Sequence, residues 1–197
     1  MNNLPDEERI ELARLVLRSA TEAMIGLELD DRPGFERSLG VRVPRQWPPE
    51  ILAGAVPIFQ ARLASEPDLT PGWLAWYIVL KDDGGNGPAL IGNCGFKGPP
   101  DSDGMVEISY SVLTAYQRHG YGSEAVAGLL AWAFAHDEVS CAVATTYPEL
   151  HPSIRLLEKL GFQYVGDGPD WRAIRFLLTR PAYERKREEG RAMGDEG

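Results

Sequence analysis

Residues 116–125 read YQRHGYGSEA, and Gly120-Tyr121-Gly122-Ser123 places two glycines one residue apart where an apolar helical pattern begins. Glycine has no Cβ, so backbone N–H groups can converge there on an anion, helped by the positive end of the following helix. The chemistry to expect is phosphate binding, and the flanking residues decide whose phosphate it is. A dinucleotide fold sets its first glycine in the tight turn directly after a strand, whereas Thr114–His119 here separate Leu113 from Gly120. A triphosphate loop needs a lysine followed by a hydroxyl after its last glycine, and Gly122-Ser123-Glu124 has neither in place. What fits is a pyrophosphate that is bound and never cleaved, held at a loop with Gln117, Arg118 and the two glycines Gly120 and Gly122.

The elements that position this loop follow from periodicity. Met105–Leu113 alternates, with Val106, Ile108, Tyr110 and Val112 on one face and Glu107, Ser109 and Ser111 on the other, as a strand requires. Val126, Leu129, Leu130, Ala133 and Phe134 then fall at helical spacing on one buried stripe. Val139–Thr146 reads as a further strand. Pro152 suits the start of a short helix closed by Gly161, and 162–165 with 171–178 reads as a last hairpin. Upstream, helical patterns dominate to about residue 65, with Ile10–Val16 a possible first strand and a helix over Pro49–Ala64 opening at Trp47-Pro48-Pro49. Residues 73–82 and 89–98 form a hairpin around DGGNGP.

Gln117-Arg118-His119-Gly120-Tyr121-Gly122 resembles the Q/R-x-x-G-x-G/A signature of the GNAT superfamily of acetyl-CoA-dependent N-acetyltransferases. PSIRLLEKLGFQYVG (152–166) is similar to the matching segment of its ribosomal-protein alanine N-acetyltransferase branch, in the same order and at the same separation. The resemblance implies an α/β (α+β) fold: a mixed, mostly antiparallel sheet flanked by helices, whose fourth and fifth strands, here 105–113 and 139–146, splay to admit pantetheine. It implies acetyl-CoA as cosubstrate, with His119, Tyr121 and Ser123 joining the residues around the pyrophosphate, strand backbone at Ser111, Val112 and Leu113 hydrogen-bonding the pantetheine and thioester, and direct attack by the amine. Ser153 matches a helix serine near the coenzyme sulfur. Glu107, on the face of Ser109 and Ser111, is the candidate general base, acting directly or through water. The sequence departs from the branch at Leu150, where an asparagine usually follows Pro-Glu; His151 is the residue placed to compensate.

Composition bounds the rest. A chain of 197 residues, 44% hydrophobic and 25% charged, is read as one domain over 1–180, with a helical acceptor side to about 70, a coenzyme core from about 72 and a charged flexible tail over 181–197. The acidic N-terminus is unlike a secretory signal and no apolar run reaches a membrane span, so a cytoplasmic protein without a membrane partner is expected, monomeric or homodimeric. A net charge of −9 argues against nucleic acid and toward cationic partners such as an amine acceptor. Cys94 and Cys141 have no metal-ligand spacing with His119, His136 or His151, so no metal is expected, and Cys94 reads as a small buried residue. Trp47, Trp73 and Trp76 are candidates to shape the acceptor pocket. The leading function is N-acetylation of a primary amine. A catalytically silent acyl-CoA-binding module of the same fold is the second reading, and a nucleotide-binding oxidoreductase a distant third.

Overall fold

The computed structural model describes residues 7–49, 55–66, 69 and 71–194. In chain order its elements are β1 (Arg9–Glu11), β2 (Leu15–Ser19), α1 (Glu22–Asp30), α2 (Arg32–Leu39), α3 (Val56–Ser65), β3 (Ala75–Leu80), β4 (Ala89–Phe96), β5 (Met105–Val112), α4 (Tyr121–Ala133), β6 (Cys141–Thr146), α5 (His151–Leu160), β7 (Gln163–Asp167), β8 (Ile174–Thr179) and α6 (Arg180–Gly194). The strands make one sheet in the order β1-β2-β3-β4-β5-β6-β8-β7. The β1–β2, β2–β3, β3–β4, β6–β8 and β7–β8 pairs are antiparallel and β5–β6 is parallel, which is the mixed, mostly antiparallel sheet expected.

The β5–β6 register covers Met105–Ile108 against Cys141–Ala144, although β5 runs on to Val112 and β6 to Thr146. Thr145 and Thr146 pair with Arg175 and Ile174 of β8. The pairing thus stops at the end where the resemblance implies a splay.

Two expectations change. The N-terminal segment holds two strands rather than a single one over Ile10–Val16. Leu12 N–H donates to Leu15 O at 2.9 Å and turns the chain, and Leu15 and Leu17 of β2 are fully buried against β3. The aliphatic run was legible, but its turn carries no glycine or proline to mark it. The segment from 181, read as a flexible tail, continues helix α6 from Arg180. Tyr183 stacks on Phe134 with ring centroids 4.5 Å apart, which gives this charged helix an apolar anchor. The expected helix start at Pro49 lies beside residues 50–54, outside the described residues; the described part of that helix is α3.

The chain divides into two compact units, Met1–Pro99 with Tyr110–Leu129, and Pro100–Ser109 with Leu130–Gly197. The division runs through β5 and α4, not near residue 70 where the texture of the sequence changes. In the first unit every residue of β3 and β4 is buried. Met24, Ile25, Phe35, Leu39, Tyr77, Val79 and Leu90 share one apolar cluster with Trp47 and Val56. Thr21 caps α1 by accepting from Met24 N–H at 3.3 Å, and Asp31 caps α2 by accepting from Gly34 N–H at 3.0 Å. Arg18 of β2 is 4% exposed. Its Nε and Nη2 donate to the two carboxylate oxygens of Glu7 at 2.5 and 2.9 Å, and its Nη1 donates to Leu39 O at the C-terminal end of α2.

In the second unit Leu157 of α5 is fully buried and α5 packs on β6, while Arg180 ties the chain after α4 into place. Its guanidinium donates to the carbonyls of Phe134, His136 and Val139 at 2.7 to 2.9 Å. A cation is favoured there by the negative end of the helix.

Removing Arg18 takes both short bonds from the buried Glu7 carboxylate and leaves it only the more exposed Arg9, whose Nε lies 3.3 Å away. Arg18→Met is expected to destabilise the chain by about 3 kcal/mol, and Glu7→Met with Arg18→Met together to recover most of that loss. Urea unfolding of the two variants checks this; equal stability of the single and double variants would show that Glu7 does not need its partner.

Candidate active site

The glycine turn is built entirely within the first unit. Leu113 leaves β5, a single 3-10 turn covers Thr114–Tyr116, and Gln117 is extended. Tyr116 fixes the start of the loop: its O–H donates to Asp83 at 3.0 Å and accepts from Arg42 at 3.1 Å. Arg118 then takes the left-handed conformation at φ 64°, and Gly120 follows at φ 80°. The first helical hydrogen bond of α4 runs from Glu124 N–H to Gly120 O at 3.1 Å, so the N–H groups of Tyr121, Gly122 and Ser123 precede the helical ladder. Arg118, His119 and Gly120 are exposed. An exposed turn of this kind can receive an anion on backbone donors at the positive end of a helix.

Arg14, which the sequence did not single out, holds this turn from the strand side. Its Nη1 donates to His119 O at 2.9 Å, its Nε to Glu124 Oε2 at 2.7 Å and its backbone N–H to Glu124 Oε1 at 2.7 Å. The guanidinium also lies 4.6 Å over the Tyr121 ring. A Cβ built on Gly120 would stand 3.3 Å from Arg14 Nη2, so both the positive φ and the clamp select glycine here.

The strand end that precedes the turn is partly committed. Val112 O accepts from Gln117 Nε2 at 2.9 Å. Leu113 N–H donates to Ile91 O at 2.8 Å, and Leu113 O accepts from Tyr116 N–H at 2.8 Å. The Leu113 N–H is thus spent on β4, and any contact of Leu113 with coenzyme falls to its carbonyl. Gly92 of β4 allows that approach, because a Cβ there would lie 2.3 Å from Ser111 O.

In the second unit, Glu107 is half-buried on β5, between the buried Val106 and Ile108, and its carboxylate accepts from Thr145 Oγ1 at 3.0 Å. The alternation read from the sequence holds at these positions. Ser153 is half-buried in the first turn of α5, its N–H donating to Leu150 O at 2.9 Å. Leu150 occupies the N-cap position of α5 and makes no side-chain cap bond, so the departure from the branch pattern costs the helix an amide at its first turn. His151 is exposed beside it.

Cys94 is fully buried and burial pushes its thiol far up, so it is a core residue and not a nucleophile. Trp73 packs on Phe96 at 5.3 Å, and the Trp76 indole donates to Gly72 O at 2.8 Å. Trp47 does reach a chemical group: its Nε1 donates to Glu28 at 2.8 Å. Glu28 and Arg14 were both missed because each acts through partners distant in sequence, which no local pattern reports. Among the described residues no group of His, Cys, Asp and Glu has the arrangement to hold a metal ion, and no helix is long and apolar enough to cross a membrane.

Comparison with known proteins places this geometry. A family model described as an acetyltransferase (GNAT) domain matches residues 14–163. The uncharacterized N-acetyltransferase YjdG of Bacillus subtilis (strain 168) is 34% identical over 126 residues, which is 64% of this chain and 72% of that protein. Among solved structures, Mycobacterium smegmatis RimJ in complex with CoA-disulfide superposes with a TM-score of 0.60 at 18% identity, covering 94% of each chain. Aminoglycoside acetyltransferase AAC(6')-Ib in complex with coenzyme A does so with a TM-score of 0.58 at 23% identity, covering 88% of this chain and 99% of that one. The family match takes in Arg14, the glycine turn, Glu107 and Ser153 alike, and the chain belongs to the GNAT family of N-acetyltransferases.

Proposed function

We propose that this enzyme transfers the acetyl group of acetyl-CoA to a primary amine, by direct attack of the amine on the thioester. The observation that carries the reading is the turn at Arg118–Gly120, clamped by Arg14, which opens the N-terminal N–H groups of α4 to an anion. Two family structures, RimJ and AAC(6')-Ib, hold coenzyme A or its disulfide. Here Gln117–Ser123 would hold the pyrophosphate, and the backbone of Ser111, Val112 and Leu113 the pantetheine and thioester.

Each protein group then has one task. Glu107 takes the proton that the amine loses as its C–N bond forms, directly or through a water. Its bond from Thr145 orients the carboxylate. Ser153 donates a hydrogen bond or its proton to the thiolate as the C–S bond breaks. The N-terminal helices form the acceptor side, and the acceptor is a protein N-terminus or a small-molecule amine. The enzyme works in the cytoplasm, as a monomer or homodimer, with no metal. Leu150 at the α5 cap keeps a second reading in view, a silent acyl-CoA-binding module of the same fold.

Acetyl-CoA and CoA are expected to raise the thermal midpoint far more than NADH or ATP at equal concentration, because a ligand of the folded state stabilises it by mass action. Gly120→Val should abolish that shift while leaving the unliganded fold intact, since valine resists a φ of 80° and meets Arg14. A valine variant that still binds coenzyme would refute the loop assignment.

Steady-state kinetics from about pH 6 to 9.5 separate the catalytic roles, since α-amines titrate near 7.7–8.0 and lysine amines near 10.4. Glu107→Gln should lower turnover by roughly 10²-fold where the amine is protonated, and by less as free amine appears with rising pH. Ser153→Ala should depress turnover at unchanged acetyl-CoA affinity. Wild-type coenzyme binding with no turnover on any amine would select the silent module.

A further inference from the structure

Arg118 holds φ 64° without being glycine, and such a residue persists only where the backbone on either side of it is fixed. Downstream, Arg14 holds His119 O. Upstream the fixed point is Tyr116, whose ring packs against the apolar cluster of the first unit. Its hydroxyl closes a triangle with two charged side chains. Asp83 Oδ2 accepts from the Tyr116 O–H at 3.0 Å and from Arg42 Nη2, and that same Nη2 donates to the Tyr116 oxygen at 3.1 Å.

The two charged residues come from segments that are tied down independently of the loop. Arg42 lies just beyond Gly40, the left-handed cap of α2, and is bonded to the start of β4: its N–H donates to Pro88 O at 3.0 Å and its O accepts from Leu90 N–H at 2.9 Å. Asp83 lies in the β3–β4 turn, where its N–H donates to Gly87 O at 3.0 Å and its O accepts from Asn86 Nδ2 at 2.9 Å. On the loop side, the residue after Tyr116 passes the placement on. Gln117 Nε2 donates to Val112 O at 2.9 Å, and Gln117 O accepts from His119 Nδ1 at 2.8 Å. A shift of Tyr116 therefore moves Gln117 and the turn together. The Arg42 and Asp83 side chains are 42% and 27% exposed, and an ion pair so open to solvent contributes little to stability by itself. Its consequence is the placement of the Tyr116 hydroxyl.

We propose that Arg42, Asp83 and the Tyr116 hydroxyl are positioning residues for coenzyme binding, fixing the near end of the left-handed turn as Arg14 fixes its far end. They set the affinity of the α4 N-terminus for the pyrophosphate without touching it. The inference rests on the reading of that turn as the pyrophosphate site.

The test uses the full chain. Calorimetry with coenzyme A should show roughly fivefold weaker binding to Tyr116→Phe, about what one hydrogen bond contributes net, and a similar loss for Asp83→Ala. The double variant should lose no more than either single one, because each breaks the same triangle. If Asp83→Ala fails to fold, Arg42→Gln takes its place in the cycle. With acetyl-CoA as varied substrate, Tyr116→Phe should raise KM by the same factor and leave kcat close to wild type, a split that general loosening of the fold would not produce. Unchanged coenzyme affinity in Tyr116→Phe, or losses that add in the double variant, would overturn the inference and leave the acetyl-transfer reading standing. Non-additive losses of coenzyme affinity, without turnover of any amine by wild type, would support the network and sink the acetyl-transfer reading. A wild type that binds no coenzyme A would overturn both.

Discussion

An anion site made of backbone needs its donors left unpaired and its turn held still, and in this chain one side chain reconciles the two demands. Arg14 fixes His119 O and both oxygens of Glu124, through its guanidinium and its own N–H, without taking a donor from Tyr121, Gly122 or Ser123. The clamp has an electrostatic consequence as well. A carboxylate in the first turn of α4 favours the helix but opposes an incoming pyrophosphate. With Arg14 at 2.7 Å from Glu124, that opposing charge is offset at the mouth of the site. The left-handed Arg118 is held in place by the same set of bonds, since a strained residue persists only where its surroundings determine it.

What stands behind the turn is rigid. β3 and β4 are buried along their whole length, and Gly92 and Gly95 let backbone approach where any side chain would collide, with Ser111 O and Leu74 O respectively. The approach at Gly92 commits the Leu113 N–H to Ile91 and thereby fixes where β5 ends and the loop begins. A site against buried interior strands keeps its geometry with little reorganisation, which is the condition for stabilising charge that develops during reaction.

How much of this was legible depends on the range of each interaction. The alternation around Glu107, the stripe of α4 and the Pro152 to Gly161 helix are local patterns, and the structure has each of them in place. The glycine turn was legible because its conformation is chemically marked. The β1–β2 turn at Leu12–Arg14 carries no such mark, so the N-terminal strands were read as one, and α6 looked like a tail because its charged residues conceal the ring contact of Tyr183. Arg14 and Glu28 act across 110 and 49 residues to Glu124 and Tyr77, and composition says nothing about contacts of that separation.

Two carboxylates of the first unit, Glu7 and Glu28, show how differently one fold can accommodate a buried acid. Glu7 has a side chain 1% exposed and is matched by the guanidinium of Arg18, which joins the hairpin to the end of α2. Among the described residues Glu28 receives an indole N–H and a phenol O–H and no cation. Neutral donors orient a carboxylate without cancelling its charge, so its solvation cost stays outstanding in the free protein. Burial accordingly raises the Glu28 carboxyl above the usual carboxylate range, so the core accommodates it by favouring the neutral acid, whereas Glu7 is accommodated by two guanidinium groups, those of Arg18 and Arg9.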